Sequence, residues 1–174
     1  MGNTMFTCDK ERLENKILTF GKFGDAGHGG ITRFSLSPEA LQARAEFRKR
    51  MEAVGAEIKT DDMANMYATI KGSEDLPGIV MASHVDSVRN GGNYDGVLGV
   101  LTAMEVVETI ATQNISHRHP ITAMIWTNEE GSLYPPAMMS SGVVCGKFDK
   151  EKMLASKSPK GKTFGEALKE SGYE

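Results

Sequence analysis

The sequence predicts an α/β fold with a mostly parallel central sheet flanked by helices. Three observations predict it. Residues 79–82 (Ile-Val-Met-Ala) are a short, wholly apolar run of strand length, and residues 121–126 (Ile-Thr-Ala-Met-Ile-Trp) read as another buried strand. Residues 97–110, between them, are apolar on nearly every side of a helix. Buried strand, buried helix and buried strand in that order are the crossover unit of a parallel sheet.

The remaining elements follow in chain order. Residues 9–20 read as a first helix, and the glycine-rich run at 21–30 ends it. Ser37-Pro38-Glu39 has the grammar of a helix start, with Ser as N-cap, Pro at the first helical position and an acid near the positive end. Leu36 and Leu41 stand where a hydrophobic staple would pair them. Ala40, Ala43, Phe47, Met51 and Val54 form a stripe at helical spacing, and Gly55 closes that helix. Residues 56–59 and 65–71 read as strands, the second carrying aromatic and β-branched residues. From 151 onward the chain is lysine-rich, with a last helix expected over 163–171.

Composition narrows the function. The 174 residues suit a single domain, or one and a piece of another. A content of 40% hydrophobic and 25% charged residues excludes a disordered chain and a coiled coil. Twenty basic against 23 acidic residues give a net charge of -3, so no basic face is offered to nucleic acid or to an anionic membrane. Cys8 and Cys145 are too few for a disulfide framework and suit a reducing cytoplasm. No apolar run approaches the roughly 18 residues of a membrane span. Asp9, Lys10, Glu11 and Arg12 interrupt the N-terminus before a signal-peptide core could form. Met1-Gly2 opens like a myristoylation site, but Phe6 stands where that pattern wants Ser or Thr.

The candidate chemistry lies just past the two apolar strands. Ser83-His84-Val85-Asp86-Ser87 follows one, and Thr127-Asn128-Glu129-Glu130-Gly131 follows the other. Ligands of open α/β sheets bind beyond the carboxyl ends of strands. In an extended His84-x-Asp86 both side chains share a face, so the imidazole can hold a metal while the carboxylate orients it. Asp95 follows in a glycine-rich turn. Glu129 and Glu130 diverge, so one can bind a metal while the other serves as general base. Each residue alone has a plainer reading: a surface pair for His84 and Asp86, an N-cap for Asp95, a solvated loop for the two glutamates. The conjunction is what is specific. His28, His117 and His119 read as solvated or structural. Gly161-Lys162-Thr163 lacks the earlier glycine of a phosphate-binding loop, since Ser156 stands there.

The run from Ser83 to Val88, then Asn90-Gly91-Gly92 and Tyr94-Asp95-Gly96-Val97-Leu98-Gly99-Val100, resembles the metal-binding core of the amidase/hydantoinase/carbamoylase family. That family lies within the dinuclear metallo-aminoacylase and carboxypeptidase superfamily, whose catalytic domain has the phosphorylase/hydrolase-like zinc-peptidase fold. Thr127 to Gly131, followed by Pro136, Met138 and Ser141, resembles the family's second signature. Gly30-Ile31-Thr32-Arg33 and the helix opened by Ser37 resemble its N-terminal segment.

The resemblance implies a role for each residue. His84 would bind the first of two divalent metal ions (zinc or manganese, with cobalt a further candidate), Glu130 the second, and Asp95 both. Asp86 would orient His84, and Glu129 would be the general base. The implied reaction is hydrolysis of a linear C–N bond in an N-carbamoyl amino acid or an allantoate-like ureido substrate. The implied partner is that small molecule, with neither nucleic acid nor membrane, and the complete enzyme would be a homodimer.

Family members are much longer. The resemblance therefore makes residues 1–174 the N-terminal portion of the catalytic metallohydrolase domain. The lid and dimerisation domain and the C-terminal catalytic segment, with further ligand histidines, would lie outside this sequence. The fold is expected to be incomplete, with an exposed sheet edge that lowers stability or promotes self-association, and the isolated chain weak or inactive. Leu133 stands where the second signature carries an arginine, and Ala82 where a glycine precedes the His motif. Two alternatives remain: a non-catalytic binding or partner protein on a degenerate amidase scaffold, and a related aminoacylase or peptidase.

Overall fold

The structure is a computed structural model that describes residues 6–173, so the Met1-Gly2 start lies outside the described residues. Its elements are α1 (Lys10–Phe20), α2 (Pro38–Ala53), β1 (Glu57–Thr60), β2 (Met66–Ile70), β3 (Ile79–His84), α3 (Val97–Thr112), β4 (Ile121–Trp126), α4 (Met139–Val144), α5 (Lys150–Leu154) and α6 (Phe164–Glu170).

Local chemistry accounts for the boundaries. Ser37 caps α2 by accepting from the Ala40 amide, and Pro38 occupies the first turn. Just past α2, Gly55 turns the chain at φ +81°. Asp9 caps α1, and Thr163 with Glu166 forms a reciprocal capping box on α6. The short helices α4 and α5 have no counterpart in the sequence reading, because one turn or two carries too little periodicity to register.

The strands form one four-stranded sheet in the order β1-β2-β4-β3. The α/β class with helices on a central sheet is as expected. The sheet, however, is mixed rather than mostly parallel. Only β3 and β4 run parallel, joined by α3, while β1–β2 and β2–β4 are antiparallel. The reason is connection length. Only residues 61–65 join β1 to β2, and a parallel pair needs a crossover of a dozen residues or more.

A second correction concerns residues 79–82. They form a strand, but an edge strand, with Ile79 and Val80 about half exposed (50% and 52%). Strand β4, between β2 and β3, is the buried one. Helix α3 likewise buries one broad face and leaves Leu98 and Val106 exposed.

The main core joins α1, α2 and α3 to the sheet through Phe20, Phe47, Met51, Met104, Val107 and Ile125. A second cluster under the loops after β4 contains Met63, Tyr134, Met139, Phe164 and Leu168. There Tyr134 meets Phe164 edge to face at 5.4 Å. It fastens the C-terminal segment against the strand end that carries the acidic motif.

Helix α1 is tied to α3 by charge. Lys16 is fully buried and contacts both Glu105 and Glu108 of α3. Arg12 adds a 2.6 Å contact to Glu105 and a 3.2 Å contact to Glu108. Burial would push the Glu105 carboxyl up, but hydrogen bonds from Arg12, Lys16 and the Asp9 amide outweigh it and hold its pKa at about 2.

Candidate active site

The parallel register sets His84 of β3 opposite Trp126 of β4, so both motifs leave the sheet at the same end. Asp86, 4% exposed, reaches across the gap. Its carboxylate accepts from the backbone amides of Glu129 (3.3 Å) and Glu130 (3.1 Å). One buried acid therefore holds the two acids of the other motif. Burial raises the Asp86 pKa, against the pull of His84 and those two amides.

The geometry of His84 refines the expectation for Asp86. The ring Nδ1 lies 2.9 Å from the backbone carbonyl of Asp86 and 3.7 Å from its carboxylate. The carbonyl is therefore the closer orienting group, and it assigns the proton to Nδ1. Nε2 is left facing the Glu129 carboxylate at 3.5 Å. An imidazole nitrogen and a carboxylate that face each other are donors that one cation can share.

Glycine makes this approach possible. Gly96 sits at φ +65°, and a Cβ there would fall 2.2 Å from Cε1 of His84. Gly96 is also the N-cap of α3, with no side-chain cap. Asp95 is therefore not a capping residue, and the plainer reading of it falls away. Asp95 is exposed. Its charge acts on Glu130, whose pKa is raised by burial and by the neighbouring carboxylates Asp95, Asp86 and Glu129, against the pull of His84. The turn is anchored by two backbone hydrogen bonds between Ile31 and Gly91 (2.9 and 2.8 Å).

The second motif is aimed by unusual backbone. Asn128 (φ +56°), Gly131 (φ +64°) and Met138 (φ +54°) are all left-handed. The Asn128 amide donates to the Tyr134 carbonyl at 2.6 Å. A glutamate pair on this bend is not a freely solvated loop.

Two arginines behind the site had no assigned role. Arg33 is buried and donates to the carbonyls of Val85, Phe20 and Phe23. Burial lowers its pKa to about 10, with Asp86 opposing. Arg44 is buried on α2, contacts Thr127 and the Ala64 carbonyl, and stacks 4.6 Å over the Tyr173 ring. Its signal was legible, because it interrupts the apolar stripe of α2 on the core side. His117 and His119 bond to the carbonyls of His119 and Pro77, before β4, and His28 is exposed in the glycine loop.

The donor types suit a divalent cation: one imidazole with its outer nitrogen tied, and carboxylates. The donor number is smaller. Among the described residues no three His, Cys, Asp or Glu side chains converge into a metal-holding group. No helix among them is long and apolar enough to cross a membrane.

Comparison with known proteins converges on one family. The profile of Peptidase family M28 matches residues 65–141, which contain both motifs. The chain is 37% identical to an N-carbamoyl-L-amino-acid amidohydrolase of Rhizobium meliloti, over 94% of this chain and 39% of that protein. It is 32% identical to an allantoate amidohydrolase of Escherichia coli, over 97% and 41%. A crystal structure of an amidase of the hydantoinase/carbamoylase family from Burkholderia multivorans superposes with a TM-score of 0.94 at 37% identity, covering 97% of this chain and 41% of that one. The chain thus spans about two-fifths of the length of the curated relatives it matches. It belongs to the amidase/hydantoinase/carbamoylase family.

Proposed function

We propose that this chain is the N-terminal portion of the catalytic domain of a metal-dependent amidohydrolase. The complete protein would cleave a linear C–N bond of an N-carbamoyl amino acid or an allantoate-like ureido substrate. The carrying observation is the Asp86 bridge, which brings His84, Glu129 and Glu130 to one strand end. His84 and Asp95 would hold one divalent cation, and Asp95 and Glu130 a second. Zinc, manganese and cobalt all suit oxygen and imidazole donors. When bound, such cations acidify water and polarise a carbonyl.

The chain's own residues supply the rest. Glu129 is 30% exposed and lies 3.5 Å from His84 Nε2, at the mouth of the site. It takes the proton of the attacking water. The water oxygen bonds to the ureido carbon, the C–N bond breaks, and Glu129 returns the proton to the departing nitrogen. Asp86 keeps Glu129 and Glu130 in register with His84.

A catalytic zinc usually has three protein ligands. With two donors per cation here, the remaining length of the relatives would supply the others, together with the lid and the surface for a homodimer. The half-exposed edge strand β3 supports this reading. Exposed Cys8 and Cys145, both free, suit a reducing cytoplasm. One observation favours a non-catalytic binding role instead, the absence of a three-donor group among the described residues.

The test is cation binding together with hydrolysis. Manganese or zinc is titrated into the chain, and N-carbamoyl amino acids and allantoate are assayed. Binding should be lost in the combined His84→Ala, Asp95→Asn, Glu130→Gln variant. It should survive Glu129→Gln, whereas any turnover should fall ~100-fold or more in that variant. Cation binding unchanged by the triple substitution would overturn the proposal. Turnover in the chain would remove the non-catalytic reading.

A further inference from the structure

Asn128 stands at the left-handed bend that leads into the acidic pair. It is 1% exposed, at φ +56°. Its Nδ2 donates to the Tyr134 carbonyl at 2.6 Å and contacts the Met139 sulfur at 3.5 Å. Its Oδ1 is the one buried side-chain polar atom without a hydrogen-bond partner among the described residues. The amide cannot be turned round, because that would set Oδ1 against the Tyr134 carbonyl. A buried orphan acceptor and a left-handed non-glycine residue both cost stability. Packing alone would favour an apolar side chain or glycine here.

The clamp governs the loop that carries the acids. Residues 129–138 close on themselves, since the Met138 amide donates to the Glu129 carbonyl at 2.5 Å and the Met139 amide to the Asn128 carbonyl at 3.2 Å. Asn128 Nδ2 crosses this loop to Tyr134, whose ring packs on Phe164. Asp86, beyond β3, grips the same two acids by their amides. The backbone of Asn128 sets the direction in which Glu129 leaves the strand end, and the Tyr134 anchor fixes it. Asn combines ease at positive φ with a short donor; Gly lacks the donor, and Asp replaces it with an acceptor.

We propose that Asn128 is the positioning residue of the acidic pair: its left-handed backbone and its amide clamp on Tyr134 set where Glu129 points relative to His84. Its amide is engaged by Tyr134 and Met139, so it acts through Glu129 and not on the reacting atoms. This rests on the amidohydrolase reading, in which Glu129 and Glu130 are the active acids, and adds the residue that aims them.

The experiment is nuclear magnetic resonance of the isotope-labelled chain at one fixed pH, with no cation added. In the parent, the Asn128 side-chain amide protons should be protected from exchange, and rapid exchange there would overturn the clamp before any variant is made. Asn128→Asp keeps the size and removes the donor, while Asn128→Gly keeps the backbone and removes the side chain. In both, the Glu129 and Glu130 amides should exchange ~10-fold faster or more, the loss of one neutral hydrogen bond, while those of β4 change little. The His84 Nε2 resonance should shift in both, because Glu129 faces it at 3.5 Å in the parent. His84 belongs to β3, so a purely local packing role for Asn128 would leave that resonance in place. An unmoved His84 resonance, or exchange at Glu129 and Glu130 no faster than across β4, would overturn the proposal. Manganese titration separates the two readings. Asn128→Gly should bind manganese ~10-fold more weakly than the parent. Parent binding that ignores the combined substitution of His84, Asp95 and Glu130 would sink only the hydrolase, since the resonances need no cation. Parent binding through those residues, unchanged in Asn128→Gly, would sink only the positioning role.

Discussion

Gly96 and His84 occupy the same small space. A Cβ at residue 96 would lie 2.2 Å from Cε1 and 2.3 Å from Nε2 of the ring, and the backbone there is left-handed. Gly96→Ala should therefore displace the imidazole and strain the turn, at ~1–2 kcal/mol for the backbone alone. The expected outcome is a lower melting temperature and loss of cation binding, read by calorimetry and titration. A variant that binds the cation as the parent does would contradict the placement of the ring.

Asp86→Asn removes the charge from the acceptor of two amides and leaves one oxygen to serve both. The loss should be ~1–3 kcal/mol in urea unfolding, the cost of an unsatisfied buried donor. The Glu129 and Glu130 backbone amides should exchange faster with deuterium, which a uniformly destabilised chain would not show selectively.

Lys16→Met leaves Glu105 and Glu108 buried with Arg12 as their one cation among the described residues. Breaking a buried ion cluster from one side costs ~3–5 kcal/mol. Adding Glu105→Met and Glu108→Leu to that variant should recover most of the loss. Chemical denaturation of the single and triple variants decides it, and additive losses would refute the coupling.

The same cluster makes stability depend on pH. Glu105 titrates at about 2 in the folded chain, below the roughly 4.3 of an unfolded glutamate. Its stabilisation is complete above the unfolded value and is lost as pH falls from ~4.5 towards 2. Melting temperature should drop over that window, and Glu105→Gln should flatten the drop while lowering stability at neutral pH.

Strand β3 presents an open edge with Ile79 and Val80 half exposed. Such an edge pairs with other chains unless charge blocks it. Sedimentation should show self-association of the chain that Val80→Lys reduces, with little change in melting temperature. A parent that stays monodisperse and monomeric at high concentration would remove this expectation.

Much of the molecule follows from local rules. The cap at Ser37, the strand at 121–126 and the acids past the strand ends could be read because each depends on neighbours in the chain. Strand direction differs from the expected parallel sheet because the short link at 61–65 allows only a hairpin between β1 and β2. The exposure of residues 79–82 is not legible locally, because an apolar strand looks the same at the edge and in the middle of a sheet. Arg33 was seen only as part of a resemblance, since its carbonyl partners lie far along the chain.

The sequence by itself determined which residues could do chemistry and which family they resemble, because motifs are local and carry their own spacing. Only the tertiary structure decided how they meet. The parallel pairing of β3 with β4 sets the two motifs side by side, and Asp86 then spans 43 and 44 residues of chain to reach the amides of Glu129 and Glu130. A hydrogen bond acts over about 3 Å of space and is indifferent to sequence separation, so no periodicity could announce it.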